Sequence, residues 1–477
     1  MPQPTPPPIT NQPATGHRGN RAATGRGDAL GLLAFIPSSV NDPVPDRQVQ
    51  TGHLSRGPSL ANPGDPDRYA FGQKKGKTGF GSLRLEFRPK WACSPVRPSV
   101  GLSAPMKITC NREKLASAFQ LAASVAPQRS PKEILHNVKI TASQGVLRLT
   151  ATDTEVGIRL EISDGVEIET EGTALLPVVR TGAILRESSD ESLRLITDES
   201  AIQILGRSSK FRMPGANPDE FPQIEGFQEE VYHEIAVHLF RDMVKRTVFA
   251  TDAESSRYAL GGVLLEMEND SVIAVGTDGR RLARMQGQGV AVGGHRTQGM
   301  TTIVPTRAIS LMERAVSDSD VVVQLAARPN DLLLRTPRCV IYSRLVEGRY
   351  PNWRQVLPRR DHATQIDMIV GPLFAALRQA AVVTDHDSRG IDFTFDHGTL
   401  RLEANTASIG SSQIEMPIAY DAPPVTLKMD HRFLADFCKV LDPETNFIFE
   451  IEGQNSPALL STEDGYAYVI MPMAKER

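Results

Sequence analysis

Gly145-Val-Leu-Arg-Leu-Thr-Ala-Thr-Asp153 alternates apolar and polar residues and closes on small polar ones. The pattern returns 253 residues later as Gly398-Thr-Leu-Arg-Leu-Glu-Ala-Asn-Thr406, and between the two lies Ser271-Val-Ile-Ala-Val-Gly-Thr-Asp278. Apolar residues at every second position predict half-buried strands. Three further markers recur around this strand in a constant order. An opening helix is read from the pairs Leu115/Phe119, Leu239/Met243 and Leu373/Leu377, four residues apart on one helical face. A strand, a proline and a helix run through Leu176-Pro177-Val178 into 181–187, and 128 residues on through Val304-Pro305-Thr306 into 308–315. The third copy, Met429-Asp430 before 433–440, keeps the position without the proline. Phe221-Pro222-Gln223-Ile224 and Tyr350-Pro351-Asn352-Trp353 close the first two copies, 129 residues apart. One shared β-run is common by chance, whereas four markers in one order are not. The spacing far exceeds the roughly 20–50 residues of solenoid repeats. Residues 106–477 therefore read as three α+β domains, at 106–224, 225–358 and 359–477, each with two helices and several alternating strands.

Residues 1–105 have another character. They hold 16 of the 34 prolines and 13 of the 37 glycines, and 13 basic against 6 acidic residues. The chain's net charge of −3 is thus +7 on this leader and −10 on the body. Such a segment buries too little apolar surface to offset its ordering entropy and is expected to be disordered. The best exception is a weak strand at Leu83, Leu85 and Phe87. The expectation is that Met106 is the translation start, or that 1–105 is a dispensable tail.

Several function classes are excluded. No apolar run approaches the roughly 18–20 residues of a membrane span, and no secretory signal opens the chain. Cys93, Cys110, Cys339 and Cys438 lie far apart without a C-x-x-C, which supports neither a disulfide framework nor a structural zinc site. A reduced, cytoplasmic chain is expected. Gly72-Gln-Lys-Lys-Gly76-Lys77-Thr78 is one residue short of a phosphate-binding loop. His233-Glu234-Ile-Ala-Val-His238 is one residue too long for a zinc His-Glu-x-x-His pair, because histidines five apart diverge by about 140° on a helix. It reads as a strand, and Asp385-His386-Asp387 as a loop. No catalytic constellation, cofactor site or metal site emerges.

The body resembles the β subunit of bacterial DNA polymerase III, the sliding-clamp family. The residues carrying the resemblance are Ala274-Val-Gly-Thr277-Asp278-Gly279-Arg280-Arg281-Leu282, Leu345-Val-Glu-Gly-Arg-Tyr350-Pro351, Val356-Leu-Pro358 and Ser256-Arg257-Tyr258-Ala259-Leu260. The start Met106-Lys-Ile-Thr and the end Tyr468-Val-Ile-Met-Pro-Met473 belong to it as well. It covers 106–477 and leaves 1–105 outside. It implies three similar DNA-clamp domains per chain and a head-to-tail homodimeric ring, with helices lining the hole and sheets outside. The implied function is non-enzymatic: encircling double-stranded DNA and tethering the replicative polymerase catalytic subunit. Implied partners are a clamp loader and other polymerases and repair proteins carrying clamp-binding motifs, in a nucleoid-associated cytoplasmic setting. The alternative is a nucleotide-dependent enzyme using the Gly72 loop.

A ring reconciles an acidic body with DNA. Topological linkage supplies retention, so phosphate contacts can stay weak, and base contacts, worth roughly 1–3 kcal/mol of site preference each, are avoided. Helical spacing nominates Arg241 and Lys245 for the inner face, with Arg246 beside them and Arg314 and Arg378 as further candidates. The resemblance adds Arg129, Tyr258 and Arg307, with Ala259 and Thr306 replacing a usual aromatic and a usual cation. A basic arm of Lys74, Lys75, Lys77, Arg84, Arg88 and Lys90 is an alternative DNA contact. The resemblance also implies an apolar pocket for a Gln- and Leu/Phe-containing partner peptide. Its wall would be Leu260, Thr277, Gly279, Arg281, Leu282, Pro351, Val356, Val469, Ile470, Met471, Pro472 and Met473. Methionines repack around varied anchors. Gln355 replaces a common arginine and Arg280 a common histidine, which shifts partner preference. The implied dimer joint sets Lys210, Phe211 and Met213 of one chain against Val382 and Val383 of the other. The run Ala407-Ser-Ile-Gly-Ser-Ser-Gln413 lacks the family's acidic cluster, which leaves the apolar part of the joint.

Overall fold

A computed structural model describes residues 105–198, 201–252, 258–357, 363–385 and 389–473. The weak strand at Leu83, the Gly72 loop, the basic arm, and His386 and Asp387 lie outside the described residues.

Each domain opens with a strand running into a helix. Lys107–Asn111 leads into α1 (Arg112–Ala123), where the Asn111 side chain caps the helix by accepting from the Lys114 N–H. The second helix of that domain, α2 (Val178–Glu187), follows Pro177. Tyr232–Ala236 leads into α3 (Val237–Thr247), and Pro305 precedes α4 (Thr306–Ala315). A short helix, α5 (Trp353–Val356), marks the passage to the third domain. There Thr364–Ile369 leads into α6 (Val370–Ala380), and Asp430 caps α7 (His431–Lys439) through the Arg432 N–H. The helices pack in pairs, α1 on α2, α3 on α4 and α6 on α7.

The buried helical pairs are Leu115/Phe119, Phe240/Val244 and Leu373/Leu377. The second differs by one residue from the pair Leu239/Met243 read from spacing. Helix α3 starts at Val237, and its 3.6-residue period buries Val237, Phe240, Val244 and Thr247, with Met243 on the stripe's flank. Leu239 instead packs over Gly287, where a Cβ would come within 2.4 Å of it.

The strand read across His233–His238 ends at Ala236, and His238 stands exposed in the first turn of α3. His233 points inward and, with His295, is buried. The Ala327 N–H donates to His295 Nε2 (3.0 Å), so the neutral His295 carries its proton on Nδ1. That Nδ1–H donates to His233 Nδ1 (2.6 Å), and His233 Nε2–H donates to the Asn269 carbonyl (2.8 Å). A proton added to either ring breaks this chain. Burial holds both imidazoles below their ordinary pKa, with the His233 contact adding to the effect on His295 and Asp270 opposing it on His233. Neutral histidines in the fold contribute stability that is full above about pH 6.5 and is lost as pH falls through the folded pKa. We expect stability to fall as the pH is lowered from about 7.5 to about 5.5. Urea midpoints at the two pH values check this, and His295→Gln should roughly halve the loss.

The sheets matter most for function, because they run through the domain boundaries. Val156–Ile162 of the first domain pairs with Cys339–Arg344, the last strand of the second. Arg281–Val292 of the second pairs with Tyr466–Ile470, the last strand of the third. The two joints are built alike. Asp153 accepts from the N–H groups of Glu155 and Val156, and Asp278 from those of Arg280 and Arg281. The Thr152 hydroxyl donates to the Val156 carbonyl and the Thr277 hydroxyl to that of Arg281. The Arg344 N–H donates to the Glu155 carbonyl (2.9 Å), and the Met471 N–H to that of Arg280 (3.0 Å). Two strands occupying these same places have no such neighbour among the described residues. Lys210–Pro214 ends the five-stranded sheet of the first domain, and Gly410–Pro417 ends the four-stranded sheet of the third. Among the described residues, no helix is long and apolar enough to cross a membrane.

Candidate partner groove and helix face

The basic candidates fall into two groups. Lys245, on α3, and Arg129, in the loop after α1, are exposed and without an ion pair among the described residues. Arg314 is exposed near the end of α4, with Nε on the Ser310 carbonyl, and Arg378 is exposed on α6 beside the Phe374 ring. Arg180 on α2, exposed and likewise unpaired, belongs with them. No basic residue sits four positions away in its helix, so helical spacing did not single it out. The others are tied down. Arg241 donates to Asp318 (2.6 Å) and to the Val316 carbonyl (2.8 Å). Arg246 bonds Asp464 (2.6 Å), which braces the second domain to the third. Arg307 bonds Asp153 (2.7 Å) and the carbonyls of Ser124 and Val125, which braces it to the first. Tyr258 lies in the single 3-10 turn Tyr258–Leu260.

A second apolar cluster lies on the outer face of the second domain's sheet. Leu264, Val275, Leu282, Ile303 and Val469 form its floor, and Tyr350 and Trp353 of the interdomain linker cover it, with Val356 and Leu357 at the edge. The Tyr350 hydroxyl donates to the Val275 carbonyl (2.9 Å), and Trp353 Nε1–H donates to Glu266 (3.1 Å). Gly279, at φ +86°, makes the turn at one end, held by its N–H on the Thr277 hydroxyl. Leu260 is buried, Pro351 is exposed, and Met471 and Pro472 are half-buried. Met473 is 39% exposed, and its N–H is fixed on the Lys428 carbonyl of the third domain. The groove thus has an apolar floor and a partly exposed methionine rim, suited to an apolar peptide anchor.

Two of the proposed wall residues face the other way. Successive residues of a strand point to opposite faces. Leu282 and Val469 face the groove, so Arg281 and Ile470 face the main core, where Ile470 is fully buried. Arg281 is a bolt between domains. It donates to Asp278 (3.1 Å), to Asp436 of α7 (2.7 Å) and to the Phe249 carbonyl (2.7 Å). Its guanidinium lies over the rings of Phe249 (5.3 Å) and Phe433 (4.6 Å).

At the open strand edges, Lys210 is exposed, Phe211 is 36% exposed and Met213 is buried. On the third domain Val382 is 74% exposed and Val383 half-buried. The three recurring domains match one family in order. The N-terminal domain of the DNA polymerase III beta subunit matches residues 106–225, its central domain 234–352 and its C-terminal domain 354–474. The chain belongs to this family. Residues 1–105 lie outside all three matches. The beta sliding clamp of Pseudomonas aeruginosa is 27% identical over 376 residues, 77% of this chain and 100% of the relative. That of Synechococcus elongatus is 26% identical over 375 residues, 77% of this chain and 99% of the relative. The crystal structure of the Pseudomonas aeruginosa clamp bound to griselimycin superposes with a TM-score of 0.71 at 26% identity, covering 77% of this chain and 99% of the other. A Bacillus subtilis clamp structure shares the fold, with a TM-score of 0.72 at 20% identity over 78% and 100% of the two chains.

Proposed function

We propose that this chain is a DNA sliding clamp: two copies close head to tail around duplex DNA and tether the replicative polymerase to it. The observation that carries the reading is the repeated joint. Two boundaries inside the chain are made by the same strand pairing, and the two strands left open are the halves of a third. Extending the register of the internal joints across two copies sets Met213 opposite Gly410 and Phe211 opposite Ser412. The equivalents of Phe211 at the internal joints are Ile341 and Tyr468, both fully buried. Phe211 therefore awaits the cover that a second copy supplies. Six domains then close without a free sheet edge at the joints. Ile414, Val382 and Val383 give the third domain's side an apolar character.

In this ring the paired helices line the hole. The unpaired cations Arg129, Arg180, Lys245, Arg314 and Arg378 meet phosphates, while the braced Arg241 and Arg307 hold the frame. The chain performs no catalysis. The groove over Leu282 and Val469 docks the polymerase, the clamp loader and other replication and repair proteins in turn, each through a short apolar segment.

Topology tests the reading. Clamp loaded onto nicked circular DNA should stay bound through gel filtration in high salt, and a single cut that linearises the circle should release it. Equal retention on circle and line would overturn the ring.

A further inference from the structure

The far end of the groove carries a cation without a hydrogen-bond or ion-pair partner among the described residues. Arg284 stands on the same face of Arg281–Val292 as Leu282, two residues along, between Val275 and Ala467 on the neighbouring strands. Two strand residues span roughly 6.6 Å, within reach of a residue flanking an anchor seated on Leu282. Arg284 is half-buried, its Nε is fully shielded without an acceptor, and it has no ion pair among the described residues. The nearby charge has the same sign. Arg354 lies 4.3 Å from the Trp353 ring whose other neighbour, at 6.0 Å, is Arg284. The Glu266 carboxylate is taken up by Arg354 (2.7 and 3.0 Å) and by the Trp353 Nε1–H. Burial and Arg354 both lower the Arg284 pKa, the mark of a cation without compensation.

The first joint shows what this position is built to take. Arg159 occupies the place of Arg284, and Gly157 that of Leu282. The linker residue Ile224 lies directly over Gly157, where a Cβ would touch it at 3.0 Å. The Ile224 carbonyl accepts from the Arg159 guanidinium (3.0 Å). At this joint the chain supplies its own apolar anchor and its own acceptor. At the second joint Trp353, the linker residue in the place of Ile224, covers the cluster around Leu282, and its carbonyl accepts from the Leu357 N–H (3.2 Å), so only the acceptor's place beside Arg284 is open among the described residues.

We propose that Arg284 is a specificity-determining residue of the partner groove, receiving a carboxylate carried next to the apolar anchor of the docked segment. This rests on the reading of the groove as a peptide site. A carboxylate matches the guanidinium fork with two parallel hydrogen bonds, and its charge relieves the repulsion from Arg354, which a carbonyl does not. The carboxylate can be a side chain or a chain end.

The test uses fluorescent peptides built on Gln-Leu-Ala-Leu-Phe, with anisotropy read on the full chain. One set is amidated and carries Asp immediately before or after the motif. One ends on the motif as a free acid. The reference is amidated and has alanine flanks. On the wild-type chain at least one acidic peptide should bind about tenfold tighter than the reference. Arg284→Gln should abolish that advantage and Arg284→Lys should keep part of it, each read as the ratio of acidic to reference affinity on the same protein. The Asp and free-acid arms tell the two carboxylate sources apart. An advantage that survives Arg284→Gln, or none on the wild-type chain, overturns the proposal while leaving the groove reading intact. If no peptide binds, the reference included, the groove reading falls and the proposal with it.

Discussion

Gln413→Pro should give a folded monomer that no longer stays on circular DNA. The argument is which way the main chain faces. At the first internal joint the Glu161 N–H donates across to the Arg338 carbonyl. Glu161 and Arg159 therefore turn their main-chain groups toward the joining strand, and the residues between them turn inward. By position in the repeat, Gln413 corresponds to Arg159. Its N–H then points outward from the open edge of Gly410–Pro417, away from the pairing with Thr399–Thr406. Proline there removes no main-chain ladder bond within the chain, only the exposed bond from Gln413 Nε2 to Glu415 (3.2 Å), and is tolerated on an edge strand. It does remove a ladder bond of the proposed dimer and places a ring in the path of the incoming strand. The cost is about 2–3 kcal/mol at each of the ring's two joints, about 4–6 kcal/mol in all, or roughly a thousand- to ten-thousand-fold in dimer Kd. Sedimentation over a concentration series, with thermal unfolding of the same samples, reads both halves of the claim. Ser412→Pro should behave differently, since its N–H points inward and its loss destabilises the domain itself. A Gln413→Pro dimer of unchanged affinity would show that this edge is not the joint.

Arg281→Ala should cost about 3–5 kcal/mol of stability, far more than a surface arginine. The side chain is 11% exposed and holds Asp278 and Asp436, themselves only 17% and 28% exposed. Removing it leaves Asp436 to Lys439 alone (3.0 Å) and Asp278 to its main-chain donors, and uncaps the Phe249 carbonyl, and breaking a buried pair from one side is strongly destabilising. The loss should fall on the contact between α7 and the second domain, so the third domain should unfold at lower urea than the rest. Arg281→Lys keeps the charge but not the fork, and should recover only part. A loss under about 1 kcal/mol would mean that the network is replaceable by water. The same substitution separates structure from docking: peptide binding at folded concentrations of denaturant-free protein should change little, because the side chain does not face the groove.

Much of the architecture is a local property of the chain, and that part was readable from residue order alone. Alternation at Gly145, Ser271 and Gly398 needs only a period of two. Helix starts follow from Asn111, Pro177, Pro305 and Asp430, whose capping or ring geometry acts within three residues. The family motif around Thr277–Leu282 is likewise contiguous. Tertiary structure decided which of these residues share a face and which charges are already taken. Leu282 and Arg281 are neighbours in sequence and lie on opposite sides of a sheet. Arg241 and Lys245 share one helix face, yet among the described residues only the first meets an acid, Asp318, 77 residues away. Arg307 finds Asp153 across 154 residues and Arg281 finds Asp436 across 155. Spacing and composition are blind to such partners, because an ion pair is set by distance in space and by the desolvation that the fold imposes.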